Sequence, residues 1–270
     1  MYDGQFTTDG NWLYPEYWDG CVAAYAPCIG GQGTKLFNFA GDNNPATLTN
    51  FTLSAAWGLS QGVQSLTFNA TNSYGAASQP GNLAGMGQIS ISLWVLGGTG
   101  SNHSHILVLP DNVAWGGGAA HYAVYGIRAE STGTGVINCW VNDFVANNFS
   151  GATSIGSTSW RHVVLTWDGI TQRLYIDGAQ DATKALSGTS ITATTQPLAF
   201  GTRNSTDLGE YFGGSLDDVR ILNRCLTPGE IRVLSKLGRG GAYTPVVTGG
   251  FVAAAAIGNR RRRLLATGAI

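Results

Sequence analysis

Charge is scarce in this chain. Asp, Glu, Lys and Arg make up 11% of its 270 residues, while 43% are hydrophobic. That balance excludes a disordered chain, which needs many charges and little to bury. Glutamate is scarcer still, with only Glu16, Glu130, Glu210 and Glu230. Retaining glycoside hydrolysis needs two carboxyls about 5 Å apart, and no two of these glutamates lie close in sequence. Cysteine is limited to Cys21, Cys28, Cys139 and Cys225, too few for a disulfide scaffold at this length. CVAAYAPC spaces two of them too widely for the tight pairs of a zinc site. Buried free thiols are expected, and a Cys28–Cys225 bridge stays open because the first and last strands of a sandwich are often neighbours. Long apolar runs are missing as well. FVAAAAIG is far too short to span a bilayer, and MYDGQFTTDG has neither the basic nor the apolar part of a secretory leader, so none is expected.

What the chain has in plenty is glycine, 39 residues, together with aromatics at 10%. Much Gly and Thr with many rings suits strands and turns. The charge that exists is unevenly placed. Five arginines and no acid in residues 237–270 leave the rest of the chain six units negative. An acidic body argues against nucleic-acid binding over the whole surface, while Arg260, Arg261, Arg262 and Arg263 suit a local anionic partner such as an acidic subunit. Asn50, Asn69, Asn102, Asn148 and Asn204 each begin an N-x-S/T sequon, which without a leader reflects an Asn- and Thr-rich chain.

Residues 1–20 interleave Trp12, Tyr14 and Trp18 with acids and show no period of 2 or 3.6. They read as an arm lying on a surface or as an irregular edge of the domain. From residue 21 strands dominate. QISISLWVLG alternates Ile89, Ile91, Leu93 and Val95 with Ser90 and Ser92. WRHVVLTWDGITQRLYIDG reads as a hairpin, with Val163, Leu165 and Trp167 on one face and Leu174 and Ile176 on one face of its partner. Asp-Gly pairs supply the positive φ that tight reversals require. CVAAYAP, QSLTFNA, HYAVYGIRA, GVINCWVND, PLAFGT and GGSLDDVRIL are further strands. One helix is predicted in TPGEIRVLSKLG, where Thr227 caps, Pro228 opens, Glu230 completes a capping box, Leu226 and Ile231 staple it and Gly238 stops it. Turns every 8 to 15 residues, without helices between the strands, predict an all-β fold: an antiparallel two-sheet β-sandwich with one short C-terminal helix and terminal extensions. The domains are an aromatic and acidic N-terminal arm (1–20), the sandwich (21–238) and a Gly/Ala-rich basic tail (239–270).

GCVAAYAP, LTN at 48–50, QSLTFNA, ISISLWV, the hairpin and GGSLDDVRILNRCLTPGEI fall in the order seen in laminin-G-like, concanavalin A-like jelly-roll domains. The chain resembles that family over roughly residues 20–236. The resemblance implies two stacked antiparallel sheets and a non-catalytic module that binds glycans or proteins. Some relatives of the wider fold are glycanases with an E-x-D-x-x-E strand, a pattern missing here, so no enzyme is expected. Many members bind calcium through acidic loops. Here the corresponding FNATNSY has Asn69 and Asn72 where the family has acids. That leaves Asp42, Asn43 and Asn44 as weak calcium ligands or solvated turn residues, and no other cofactor is expected.

Trp115, beside three glycines in PDNVAWGGGAAHY, is a candidate sugar-binding ring, with His121 and Tyr122 next to it. His103 and His105 form an H-x-H that, with His121, could hold a transition metal, but no nearby Cys or acid in the sequence completes the set. Asp217 and Asp218 are adjacent, hence poor partners for acid–base chemistry and better suited to a bulge. The expectation is a binding component on a virion-type particle surface, a capsid decoration, tail or fibre protein. Trp12, Tyr14, Trp18 and Arg260 to Arg263 would dock it on neighbouring subunits. A free extracellular carbohydrate-binding module is the alternative, and a glycan-active hydrolase ranks behind both. No membrane span is expected.

Overall fold

A computed structural model describes residues 14–40, 44–78, 83–97, 103–112, 123–130, 135–156, 158–188, 190–204 and 209–241. In chain order the strands are β1 (Cys21–Tyr25), β2 (Lys35–Leu36), β3 (Ala46–Thr49), β4 (Trp57–Ser60), β5 (Val63–Thr67), β6 (Tyr74–Ala77), β7 (Ile89–Gly97) and β8 (His103–Pro110). They continue with β9 (Ala123–Glu130), β10 (Val136–Val141), β11 (Phe149–Ser154), β12 (Arg161–Trp167), β13 (Thr171–Ile176), β14 (Ala179–Ala185), β15 (Leu198–Phe200) and β16 (Gly214–Leu222). The helices are α1 (Leu53–Ala56), α2 (Phe144–Asn147) and α3 (Pro228–Leu237).

The strands form two antiparallel eight-stranded sheets. The first runs β14-β13-β12-β7-β16-β5-β4, with β1 paired to β16. The second runs β11-β10-β9-β8-β15-β6-β3-β2. Between them lies one apolar core, to which β7 gives Ile89, Ile91, Leu93 and Val95 and β12 gives Val163, Leu165 and Trp167. The period of two read from the sequence therefore sets which face each strand buries. At one edge the sheets are tied by Asp181 of β14, whose carboxylate accepts the backbone N–H groups of Ala152 (2.8 Å) and Thr153 (3.1 Å) of β11.

The predicted hairpin is present. Val163 pairs with Ile176 and Trp167 with Gln172. Asp168 Oδ1 closes the turn by accepting from the N–H groups of Ile170 (2.9 Å) and Thr171 (2.8 Å). Asp177 (φ 52°) and Gly178 (φ 85°) turn the chain into β14, and a side chain at 178 would press on Arg232 of α3. The predicted helix is present with both halves of its capping box: Glu230 N–H donates to Thr227 Oγ1 (3.2 Å) and Thr227 N–H to Glu230 Oε2 (2.8 Å). Ile231 and Leu234 of α3 pack with Leu226, Val164, Tyr175 and Leu222 on the outer face of the first sheet.

Residues on either side of the predicted 21–238 sandwich also pack on it. The turn at Pro15–Tyr17 and the residues after it belong to the domain, because Tyr17 joins the α3 cluster and Trp18 is 3% exposed among Ala24, Ala26 and Ala40. Trp18 is therefore a core residue and offers no ring to a partner. Arg239, placed in the tail by sequence, is also anchored. Its guanidinium lies 4.0 Å from the Trp160 ring centre, donates to the Ser60 carbonyl and sits 3.6 Å from Asp217.

All four cysteines are free, so no Cys28–Cys225 bridge forms. Cys28 faces Gly240 and its backbone N–H donates to Asp217 (2.8 Å), whereas Cys225 lines a groove with Arg173 and Tyr175. Asp217 and Asp218 sit at a bulge of β16, with Asp218 at φ 45°. Asp218 forms a fully buried pair with Arg220 (3.0 Å). Among the described residues no helix is long and apolar enough to cross a membrane.

Candidate functional site: the outer face of the second sheet

Strands β8, β9 and β10 send Leu107, Leu109, Ile127, Ala129, Ile137, Cys139 and Val141 into the core. The alternate positions turn outward, and there the residue types change. β9 presents Gly126, Arg128 and Glu130, while β10 presents Asn138 and Trp140. Cross-strand register sets Arg128 beside both His105 and Asn138, and Gly126 beside both Val108 and Trp140. Gly126 is required here, because a Cβ on it would lie 2.3 Å from the Trp140 ring. A register shift after His105 lets β8 aim that histidine outward while Leu107 and Leu109 still face the core.

The charges on this face are paired. His103 Nδ1 lies 2.8 Å from Glu130 Oε2, and Arg128 donates to Glu130 Oε1 through its Nε (3.0 Å) and a terminal nitrogen (2.6 Å). His105, fully buried, contacts Glu210 at 2.7 Å through Nε2. Burial is the largest influence on Glu210 and acts to raise its pKa, but the bond to His105 and the nearby His105, His103 and Arg203 together outweigh it and hold this carboxyl below its ordinary range. Burial pulls the His105 imidazole down, so a neutral ring donates its Nε2–H to an ionised carboxylate. Rings complete the face. Trp140 meets Phe144 of α2 edge-on at 4.9 Å and His105 at 5.9 Å, and the Arg128 guanidinium lies 4.5 Å from the Phe144 ring centre.

The sequence placed no acid near the H-x-H. Folding supplies one for each histidine, Glu130 across the strand pair and Glu210 from a distant loop, so both His103 and His105 are hydrogen-bonded to a carboxylate. Among the described residues no cluster of three or more His, Cys, Asp or Glu is arranged to hold a metal. Asn69 Oδ1 accepts from the N–H groups of Thr71, Asn72 and Ser73 (3.0 Å each), and its amide nitrogen donates to Asn72 (2.9 Å). These asparagines therefore brace their own turn. Asn44 donates its side-chain amide to the Ser78 carbonyl. Tyr14 is half-buried beside Tyr17 and the α3 cluster. Trp115, His121, Tyr122, Trp12, Asp42, Asn43 and Arg260 to Arg263 lie outside the described residues.

Similar folds are known. Domain 4 of an extracellular arabinanase from Geobacillus stearothermophilus, solved with arabinotriose, superposes with a TM-score of 0.59 at 19% identity, over 80% of this chain and 98% of that domain. The receptor-binding domain of a botulinum neurotoxin mosaic serotype C/D gives 0.59 at 12% identity, over 82% of this chain and 51% of that one. A Trypanosoma rangeli sialidase gives 0.53 at 16% identity, over 80% of this chain and 32% of that one. No curated protein sequence matches. A sequence profile of the laminin-G type, described as the concanavalin A-like lectin/glucanases superfamily, matches residues 69–232. That match spans more than half of the chain, which therefore belongs to the concanavalin A-like lectin/glucanase superfamily.

Proposed function

We propose that the domain is a non-catalytic glycan-binding module whose ligand face is the outer surface of the second sheet. The observation that carries the reading is the pairing of both carboxylates on that face. A glycosidase needs one carboxyl whose pKa is raised so that it can protonate the leaving oxygen. Glu210 is held ionised instead, and Glu130 is engaged by Arg128 and His103. Asp217 does have a raised pKa, pushed up to about 7 by burial and then by Asp218, but it is sealed beneath Arg239. Ionised carboxylates, a guanidinium and packed rings are groups that hold sugar hydroxyls and apolar sugar faces. The arabinanase domain solved with arabinotriose supports the same reading.

The setting we propose is the surface of a virion-type particle. The described starts of both chain extensions, residues 14–20 and 239–241, pack on the first-sheet side, away from the candidate ligand face. The extensions would dock on neighbouring subunits there, with the second sheet turned outward.

The test is a glycan array, followed by product analysis of any glycan retained. Binding without cleavage is the expected result. Hydrolysis that is lost in Glu210→Gln would overturn the non-catalytic reading.

A further inference from the structure

Asn138 and Trp140 stand two apart on β10, so their side chains share the outer face. Asn138 is 3% exposed and Trp140 fully buried, yet Asn138 Oδ1 and Trp140 Nε1 meet no hydrogen-bond partner. Buried polar atoms are nearly always paired, so two orphans on one face need a cause. The Asn138 amide is oriented by its neighbours. Its nitrogen donates to Ser150 Oγ (3.1 Å) and Asn148 Oδ1 (3.4 Å). The Asn148 nitrogen is itself spent on the carbonyls of Phe144 (2.6 Å) and Val145 (3.3 Å), so Asn148 turns its oxygen toward Asn138. This leaves an N–H donor and a carbonyl acceptor on one face of β10.

We propose that Asn138 and Trp140 form a subsite for the hydroxyl groups of a neutral sugar, its Trp140 side covered in this structure by the Phe144 ring. The proposal rests on the glycan-binding reading above and names the ligand class within it. A hydroxyl accepts from one group while donating to another, which is what an indole N–H and an amide oxygen on one face ask for. An acidic sugar fits poorly. Its carboxylate would meet Asn138 Oδ1 and lie on the face that carries the Glu130 and Glu210 carboxylates, while the Arg128 charge is already taken by Glu130.

Opening falls to the Phe144 ring, which is half-buried. The backbone of α2 is fastened by Lys184 Nζ to the Ala146 carbonyl (2.7 Å) and by Gln172 Nε2 to the Asn147 carbonyl (3.1 Å). The residues just ahead of it, Asn142 and Asp143, have φ of 60° and 156°, a strained pair that aims the turn over the Trp140 side of the subsite. The backbone stays in place and the side chain rotates away.

The experiment is an NMR titration of the full-length, nitrogen-15-labelled chain with arabinotriose, with any neutral glycan retained on the array, and with sialyllactose as the acidic counterpart. The Trp140 indole N–H resonance, identified by its loss in Trp140→Phe, is expected to shift with a neutral sugar and to stay fixed with sialyllactose. Trp140→Phe, which keeps a ring but loses the donor, is expected to weaken binding about tenfold, as is Asn138→Leu. The indole shift is read on the unaltered protein, so misfolding of a variant does not remove the test. A neutral glycan that binds equally well to both variants and leaves the resonance unmoved overturns the subsite while the glycan-binding reading stands. Preference for the sialylated sugar overturns the neutral-ligand claim, and an array without any bound glycan overturns both readings.

Discussion

The outer faces of the two sheets bury similar chemistry under different cover. On the first, Trp94 Nε1 and His162 Nδ1 lack partners, as Asn138 Oδ1 and Trp140 Nε1 do on the second. The first face is overlaid by the ten-residue helix α3, the turn at Pro15–Tyr17 and the segment pinned by Arg239. Over Trp140 the described cover includes a phenylalanine on a one-turn helix, with His105 edge-on to the same ring. The contrast is one of cover: the first face buries its charges under the segments that flank the sandwich, while the second carries the polarity that the proposed glycan site would use.

Mutations at the two faces should diverge in stability. The largest effect is expected at Arg220→Ala, which strands the buried Asp218 carboxylate and should cost about 3–5 kcal/mol in urea unfolding. A cost below about 1 kcal/mol would show that the first face is not sealed.

Next comes Asp217. Its folded-state pKa is raised from 3.8 to about 7, so the folded state binds the proton more tightly than the unfolded chain. The stability it contributes is fully present below about pH 4 and is lost as pH rises to 7, by up to about 4 kcal/mol. Asp217→Asn should remove that decline, so its stability relative to the unaltered protein should grow between pH 4 and 7. A difference that does not vary with pH would contradict the burial of this carboxyl. Glu210 and Glu230, with lowered pKa values, act in the opposite sense and lose their contribution on acidification. Thr227→Ala should cost about 1 kcal/mol through loss of the α3 cap. The smallest change is expected on the second face. Asn138→Leu removes an acceptor without a partner together with two bonds to Ser150 and Asn148, whose part-exposed side chains water can reach, and should alter stability by no more than about 1 kcal/mol while weakening glycan binding.

The architecture was legible where the code is local. The alternation in ISISLWV, the Asp-Gly reversals of the hairpin and the Thr227–Glu230 box each specify structure within a few residues, and each is present. β14 was not read, because AQDATKA is an edge strand with mostly polar, half-exposed positions and no apolar alternation. For Trp18 the sequence leaves an arm and an irregular domain edge open, because nothing local shows that its ring folds back among Ala24, Ala26 and Ala40. The site was harder still, since its residues come from β8, β9, β10, α2 and a loop near residue 210, and only pairing brings them together. One signal was available. His103/His105, Arg128/Glu130 and Asn138/Trp140 are each spaced by two within otherwise apolar strands, which marks a common outward face.

The most direct test of the central claim is amide hydrogen exchange on the intact chain, with and without a glycan selected on the array. Added protection should concentrate in residues 136–148 and leave the strands of the first sheet at 161–176 unchanged. Protection that appears on the first sheet, with 136–148 unaffected, would contradict the account.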